Sequence, residues 1–380
     1  MTLIIDIHAL QTVPPSLINR DDTGSPKSAI YGGTPRQRVS SQAWKRAIRR
    51  YYQENFSAES IGDRSKRLPE KITRQLMREA GLEQDAALER VRALFAAAKI
   101  KLVEEKKPKK KDSDNAEEPA RAFPETGYLL FLSQQQVDHA VEVLAALDEG
   151  EKVDRKTAQN ILNADFSVDM AMFGRMVADD PYFNVDAAVQ VAHAIGVHAS
   201  APEFDYFTAV DDLAQAGQEA GAGMIGTVQM MSSTLYRYAT VNVEGLAENL
   251  GSADAAREAA SRFLEAFACS MPTGKINTFA NQTLPELIYV TVRDTRPISL
   301  VTAFEEPMEA STSSSRREVA ADRLAQEAIN VRDAYGFTPL ASYVVGLGSL
   351  ADAFDKCAQR VTLPELLERV RDDLAGAEAQ

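Results

Sequence analysis

NRDDTGSPKSAIYGGTPRQRVSSQAWKRAIRR, residues 19–50, sets the reading of the chain. In its second half Trp44, Ala47, Ile48 and Tyr51 recur at i, i+3, i+4 and i+7, an apolar helical stripe made for a core. Lys45 and Arg49 stand four apart on another face, and Ser40 or Ser41 can cap the helix start. From Val13 to Pro35 the composition is rich in Pro, Gly, Asp and Ser and reads as a long loop, with Gly32-Gly33 a turn signal. Between Arg20 and Arg50, eight basic residues (Arg20, Lys27, Arg36, Arg38, Lys45, Arg46, Arg49 and Arg50) are opposed only by Asp21 and Asp22. No acidic residue occurs from Gln37 through Tyr52.

That local excess stands out against the whole. The 380 residues carry 42 Lys and Arg against 55 Asp and Glu, a net charge of −13. A chain this acidic does not bind nucleic acid over its entire surface, whereas a concentrated basic patch on an acidic body is an anion-binding footprint. The competing reading is a solvated helix face. Hydrophobic residues make up 45 % of the chain, enough for a sizeable core. No apolar run approaches the length of a membrane span. The start, MTLIIDIHAL, lacks the marks of a signal peptide. Two cysteines, Cys269 and Cys357, without a CxxC pair, suit a reducing cytoplasm and exclude a disulfide scaffold.

Outward from the opening stretch, residues 2–10 read as a buried strand. Residues 57–180 form a mostly helical block placed as an insertion between strand-bearing segments, and its lysine-rich part, 104–121, reads as a disordered loop whose acids largely cancel its lysines. Residues 200–226 combine an aromatic segment, EFDYFTAVDDL, with a Gly-rich run, the composition of a projecting loop. LYRYATVNV (235–243) and ELIYVTVR (286–293) alternate as strands. Residues 253–268, 317–336 and the final LPELLERVRDDLAG read as helices. Strand, helix, strand, helix, strand, with later helical additions, fits an α+β split β-α-β unit of the ferredoxin or RNA-recognition-motif kind.

Catalytic motifs are missing from the sequence. His193 and His198 are five apart, off the spacing of a helical metal site, and no carboxylate completes a ligand set, so no metal and no cofactor is expected. There is no GxSxG, HExxH or P-loop. Binding chemistry is better represented. Ser40, Ser41 and Gln42 open a helix whose first N–H groups and dipole favour an anion. Lys45 and Arg49 follow along one face, in reach of consecutive phosphates. Tyr206, Phe207 and Thr208 place rings beside a flexible arm, where they either stack on bases or pack into a core or subunit contact.

Residues 19–50 resemble the N-terminal signature of the CasC-type backbone subunit of the type I-E CRISPR surveillance complex, Cascade. The resemblance continues, in family order, through FGRM (173–176), AHAI (192–195), DYFTAVDDL (205–213), STLYRYATVNV (233–243), ENLGS (248–252) and ISLVTAFEEP (298–307). It implies a modified RNA-recognition-motif palm with an inserted helical fingers domain and a thumb loop. The expected bounds are 1–56 for the first part of the palm, 57–180 for the fingers, 181–199 for palm, 200–226 for the thumb and 227–380 for the rest of the palm. It further implies a non-catalytic protein that polymerises head to tail along the CRISPR RNA (crRNA) spacer and supports pairing of the guide with a target DNA strand. Other copies of itself and the other Cascade subunits would be its partners, with no membrane involved.

Residue by residue, the resemblance assigns Arg20, Lys27, Ser40, Gln42, Lys45, Arg46 and Arg49 to the RNA backbone. It assigns Met176, after Arg175, to a wedge against bases, and Tyr206, Phe207 and Thr208 to a thumb that interrupts the guide–target duplex. Tyr206 stands where the family elsewhere has Trp, so a ring is kept but its shape differs. Two other readings remain at this point: an RNA endonuclease using Asp21 or Asp22, as in related type III backbone subunits, and a helical scaffold whose basic patch docks an acidic protein.

Overall fold

The computed structural model describes residues 3–57, 61–104, 123–148, 151–209, 224–309 and 314–378. Apart from Glu104, the segment 104–121 lies outside the described residues, as does the Gly-rich run 210–223. In chain order the elements are β1 (Ile4–Ser16), β2 (Ser28–Tyr31), β3 (Thr34–Val39), α1 (Ser41–Asn55), β4 (Asp63–Ser65), α2 (Leu68–Ala80), α3 (Gln84–Ala97), β5 (Leu102–Val103), β6 (Glu125–Thr126), β7 (Leu130–Leu132), α4 (Gln134–Ala146), α5 (Arg155–Leu162) and α6 (Val168–Phe173). They continue with β8 (Val189–Val191), β9 (Ala194–Gly196), β10 (Glu203–Ala209), β11 (Met224–Asn242), α7 (Val243–Leu250), α8 (Ala253–Cys269), α9 (Ile276–Phe279), β12 (Leu287–Arg293), α10 (Arg316–Tyr335), β13 (Ala341–Gly346), β14 (Gln359–Arg360) and α11 (Leu363–Glu378). The architecture is mixed α and β around one large sheet. No helix among the described residues is long and apolar enough to cross a membrane.

Two compact units divide the chain. The first comprises residues 1–51, 189–244 and 256–380; the second comprises 52–188 and 245–255. The second unit starts at Tyr52, at the end of the α1 stripe, which is buried with its hydroxyl against Met172 Sδ at 3.7 Å. The second unit is helical but also holds short strand pairs, β4 with β7 and β5 with β6. Its core is Leu68, Ile72 and Leu76 of α2, Val91, Leu94 and Phe95 of α3, and Val137, Val141 and Leu144 of α4.

In the first unit the sheet runs β14-β13-β12-β1-β11-β9-β3-β2, with β8 and β10 also pairing to β11. β1 lies antiparallel between β11 and β12, His8 opposite Tyr238 on one side and Tyr289 on the other. Alternation sends Ile7, Ala9, Gln11 and Val13 to one face and Asp6, His8 and Leu10 to the other.

On the first face Arg237 of β11 is fully buried, its guanidinium 3.7 Å from the Trp44 ring centroid of α1 and 4.2 Å from that of Phe267 in α8. Its Nη1 donates to Gln11 Oε1 and its Nη2 to the Phe267 carbonyl, both at 2.6 Å. The opposite face is closed by α10 and by 3-10 turns at Val301–Phe304 and Leu350–Phe354, which bury Tyr236, Tyr289 and Leu10.

Three stretches expected as loop are strand. β1 continues to Ser16, its register shifting after Val13 where Pro14 and Pro15 interrupt the ladder. Residues 28–39 form a hairpin whose two-residue turn takes positive φ at Gly32 (57°) and Gly33 (74°), the geometry that matches strand twist. The aromatic half of 200–226 is likewise a strand, β10, paired along its length with β11.

The buried face carries a pH signature. His8 Nδ1 lies 2.9 Å from the Tyr236 hydroxyl, which itself accepts from Leu300 N–H at 3.0 Å. Burial, and secondarily the Arg293 charge, pushes the His8 pKa from its ordinary 6.5 down to about 3. The folded state thus keeps His8 neutral where the unfolded chain binds a proton, and stability falls as pH drops from about 6.5 toward 3, by up to ~1.4 kcal/mol per unit. The expected result is that His8→Phe removes this part of the pH response. Between pH 7.5 and pH 5, denaturant unfolding should show the wild type losing roughly 2 kcal/mol more than the variant. Equal losses would put the acid-sensitive proton elsewhere.

Candidate nucleic-acid interface

The basic stretch is built on a sewn frame. Asp21 Oδ1 accepts from Thr23 N–H (2.9 Å), Thr23 Oγ1 (2.7 Å) and Ser25 N–H (2.9 Å), bonds that hold its carboxyl below the usual range. The 19–27 loop then closes through Lys27 N–H to the Asn19 carbonyl, and Arg38 N–H bonds the Lys27 carbonyl, both at 2.9 Å. Asn19 Oδ1 accepts from Ser40 N–H at 2.8 Å. Loop, hairpin and helix start are thereby tied together.

Arg36 leaves the basic surface. It is fully buried, donating to the carbonyls of Gly196 (2.9 Å), Glu305 (3.0 Å) and Phe304 (3.3 Å) and to Thr34 Oγ1 (2.9 Å). Its role is to clamp the β2–β3 hairpin onto the 301–305 turn, helped by Tyr31, whose hydroxyl donates to the Val301 carbonyl at 3.2 Å. At the hairpin tip a Cβ on Gly32 would stand 1.6 Å from the Glu305 oxygen, so this turn needs glycine for close approach as well as for φ.

α1 is split into two faces. Trp44, Ala47, Ile48 and Tyr52 are buried; Gln42, Arg46 and Arg50 are exposed, and Lys45 and Arg49 are half-buried. Burial lowers the Lys45 pKa from its ordinary value. Gln42, Lys45, Arg46 and Arg49 follow at i, i+3, i+4 and i+7, a track about 10 Å long at 1.5 Å per residue.

Ser40 is the N-cap: its Oγ accepts from Ala43 N–H at 3.3 Å, and at 5 % exposure it supports the helix start instead of offering a surface contact. Ser41 Oγ donates to the Val191 carbonyl at 2.7 Å. Arg20 is exposed and Lys27 half-buried beside this start.

His193 joins the site unforeseen, beside Arg38, which the sequence counts in the basic stretch without assigning it a contact. Nδ1 of the exposed His193 lies 3.1 Å from Arg38 Nη1 and accepts from Ser41 N–H at 3.3 Å. Burial first, then the Arg38 and Lys27 charges, lowers its pKa. Arg38 lies in the acid-free run, but its separation from Arg36 depends on a segment more than 260 residues along the chain. His198 is turned in, near the Ala199 carbonyl and accepting from Thr234 N–H.

Within the second unit, Arg175 and Met176 diverge. Arg175 is turned inward at 5 % exposure, donating to the carbonyls of Phe183 (2.8 Å), Leu162 (2.8 Å) and Phe131 (3.4 Å) beside the Phe166 ring. Burial pushes its pKa down to about 10. Arg175, grouped with Met176 as an RNA-binding residue on the resemblance, here has its donors committed to carbonyls of its own unit. Met176, the next residue, is 79 % exposed. A main-chain bridge between Arg175 and Val185 fixes the pair, and a Cβ on Gly174 would stand 2.7 Å from the Val185 carbonyl oxygen.

The β10–β11 hairpin carries the aromatic segment. Every residue of β10 is exposed, with Tyr206 at 63 % and Phe204 at 70 %. Tyr206 pairs with Thr227, Phe207 with Gly226 and Thr208 with Ile225. Tyr206, Phe207 and Thr208 are thus presented on a strand, not packed in the core.

Residues 5–369 match the model of a family described as CT1975-like protein. Two solved structures resemble the chain over nearly all of it. A chain of a "CRISPR RNA-guided surveillance complex, pre-nicking" is 33 % identical, with a TM-score of 0.82, covering 98 % of this chain and 100 % of that one. A chain of a "CRISPR RNA-guided surveillance complex" is 29 % identical, with a TM-score of 0.72, covering 97 % and 99 %. No curated protein matches.

Neighbours 175 and 176 should behave oppositely on truncation. Arg175→Ala strands buried carbonyls, each worth about 1–3 kcal/mol, and should destabilise by roughly 3 kcal/mol or more. Met176→Ala should stay within about 0.5 kcal/mol. Urea unfolding of both variants checks this, and comparable losses would contradict the inward placement of Arg175.

Proposed function

The chain belongs to the CT1975-like protein family, and from that premise we propose that it is a crRNA-binding backbone subunit of a type I-E RNA-guided surveillance complex. The carrying observation is the one-sided helix α1: an apolar face fixed to the sheet and, off that stripe, a basic face on which Arg46 is exposed and Lys45 and Arg49 are half-buried. Phosphate contacts of this kind position a strand without reading it. That independence of sequence is what a guide carrier requires, since base pairing then supplies specificity.

The strand order β12-β1-β11-β9, with α1 following β1 and α8 following β11, supports the ferredoxin-like palm. The aromatic face of that sheet is closed by α10, so guide contacts fall to the loop, helix and hairpin. Residues 52–188 correspond to fingers and β10–β11 to the thumb. In this reading the protein is not catalytic. Asp21 is a staple of its loop, its Oδ1 already accepting three hydrogen bonds. Copies contact head to tail along the crRNA, a non-closing arrangement that yields a helix. The other subunits and the target DNA strand join that assembly.

Removing two cations from the track should loosen RNA without unfolding the protein. Lys45→Ala with Arg49→Ala is expected to reduce the magnitude of the slope of log K against log salt by ~0.7 for each lost phosphate contact to a single strand. Filter binding of a spacer-length RNA from 50 to 300 mM salt measures it. An unchanged slope, or purified assemblies free of small RNA, would overturn the assignment. Metal-dependent cuts in bound target RNA that vanish on Asp21→Ala or Asp22→Ala would favour a nuclease instead.

A further inference from the structure

We propose that Gly226 is a positioning residue for the Phe207 ring, an inference that rests on reading the β10–β11 hairpin as the element that meets guide–target base pairs. Phe207 and Gly226 are direct cross-strand partners. A Cβ built on Gly226 would stand 2.4 Å from Phe207 Cζ, 2.8 Å from Cε1 and 3.0 Å from Cε2, so the ring lies across the bare backbone of the opposite strand. The φ of Gly226 is outside the left-handed region, and conformation alone does not call for glycine there.

What calls for it is the space the ring occupies, the arrangement in which an aromatic side chain covers a strand glycine. The consequence shows in exposure. Phe207 is 37 % exposed, whereas Phe204 and Tyr206 on the other face of the same strand are 70 % and 63 % exposed.

The seat gives the ring a defined height on a strand whose residues are all exposed. One side of Phe207 is held by strand backbone, and the remaining surface is presented outward. Alternation places Glu203 and Asp205 on the same face, so a phosphate chain is repelled there and the contact left to make is ring against base. Holding the ring before binding removes the entropy of ordering it at the moment of contact.

The test uses the assembled complex with its guide, in four forms: wild type, Phe207→Ala, Gly226→Ala and the double variant. Guide retained per subunit and affinity for a complementary DNA strand are measured on each. Both single variants should keep the guide while target affinity drops about fivefold or more, the lower end for one lost base–ring stack. The double variant should bind no more weakly than Phe207→Ala alone, the signature of two residues acting through one contact.

If Phe207→Ala leaves target affinity unchanged, the hairpin reading itself fails. If Phe207→Ala weakens binding but Gly226→Ala does not, the positioning role fails while the hairpin reading stands. If Gly226→Ala weakens binding equally with Phe207 absent, glycine serves the hairpin's folding and the inference is overturned.

Discussion

The buried Arg237 guanidinium, layered between the rings of Trp44 and Phe267, is the interaction on which the rest of the first unit depends. Among the described residues no carboxylate pairs with it; aromatic faces, one side-chain amide oxygen and one carbonyl take its charge. Burial pushes its pKa down to about 9 and the cation is retained through these contacts. Because Trp44 comes from α1, Phe267 from α8 and Gln11 from β1, one side chain of β11 fixes two helices and a neighbouring strand. The rotation of α1 follows. With Trp44 turned to the sheet, Lys45, Arg46 and Arg49 lie off the buried stripe, Arg46 exposed and the other two half-buried.

Charge segregation then has a structural cause. The first unit buries arginines that serve the fold, Arg36, Arg237 and Arg293, the last paired with Asp6 at 3.0 Å. It leaves at the surface the cations whose helix face or loop position admits no core. The net −13 of the chain is therefore compatible with a local positive track, because those cations are concentrated on one frame where Asp21 is committed to its own loop. Under the proposed function the same segregation confines a polyanion to that track and discourages contact elsewhere.

Much of this was legible in the sequence, and the parts that were not share a reason. The α1 stripe, the cap at its start and the strands 235–243 and 286–293 rest on local periodicity, and local periodicity survives folding. Arg175 could not be separated from Met176, nor Arg36 from Arg38, because burial of each arginine is imposed by carbonyls brought from other elements. The β2–β3 hairpin was hidden because its turn glycines and prolines read as loop, while its stability comes from Arg36 and Tyr31 docking on 301–305. Tyr206 and Phe207 leave core and surface equally open in the sequence; among the described residues β10 pairs with the early part of β11 alone, and that pairing leaves it exposed.

That end of β11 links the two candidate contact regions. β11 is one continuous strand of 19 residues. Its middle pairs with β1 and carries Arg237, and its early part pairs with β10. Gly226 and Arg237 are eleven residues apart, about 36 Å of extended strand. A two-stranded ribbon is marginal alone; here one of its strands is an extension of the central sheet, so the ribbon inherits its direction from the core. The same strand that pins the basic helix thereby carries the aromatic ring. Under the proposed function, a guide lying on α1 and a duplex meeting Phe207 would be spaced by strand length, not by loop flexibility, and a subunit repeated along an RNA would repeat that spacing.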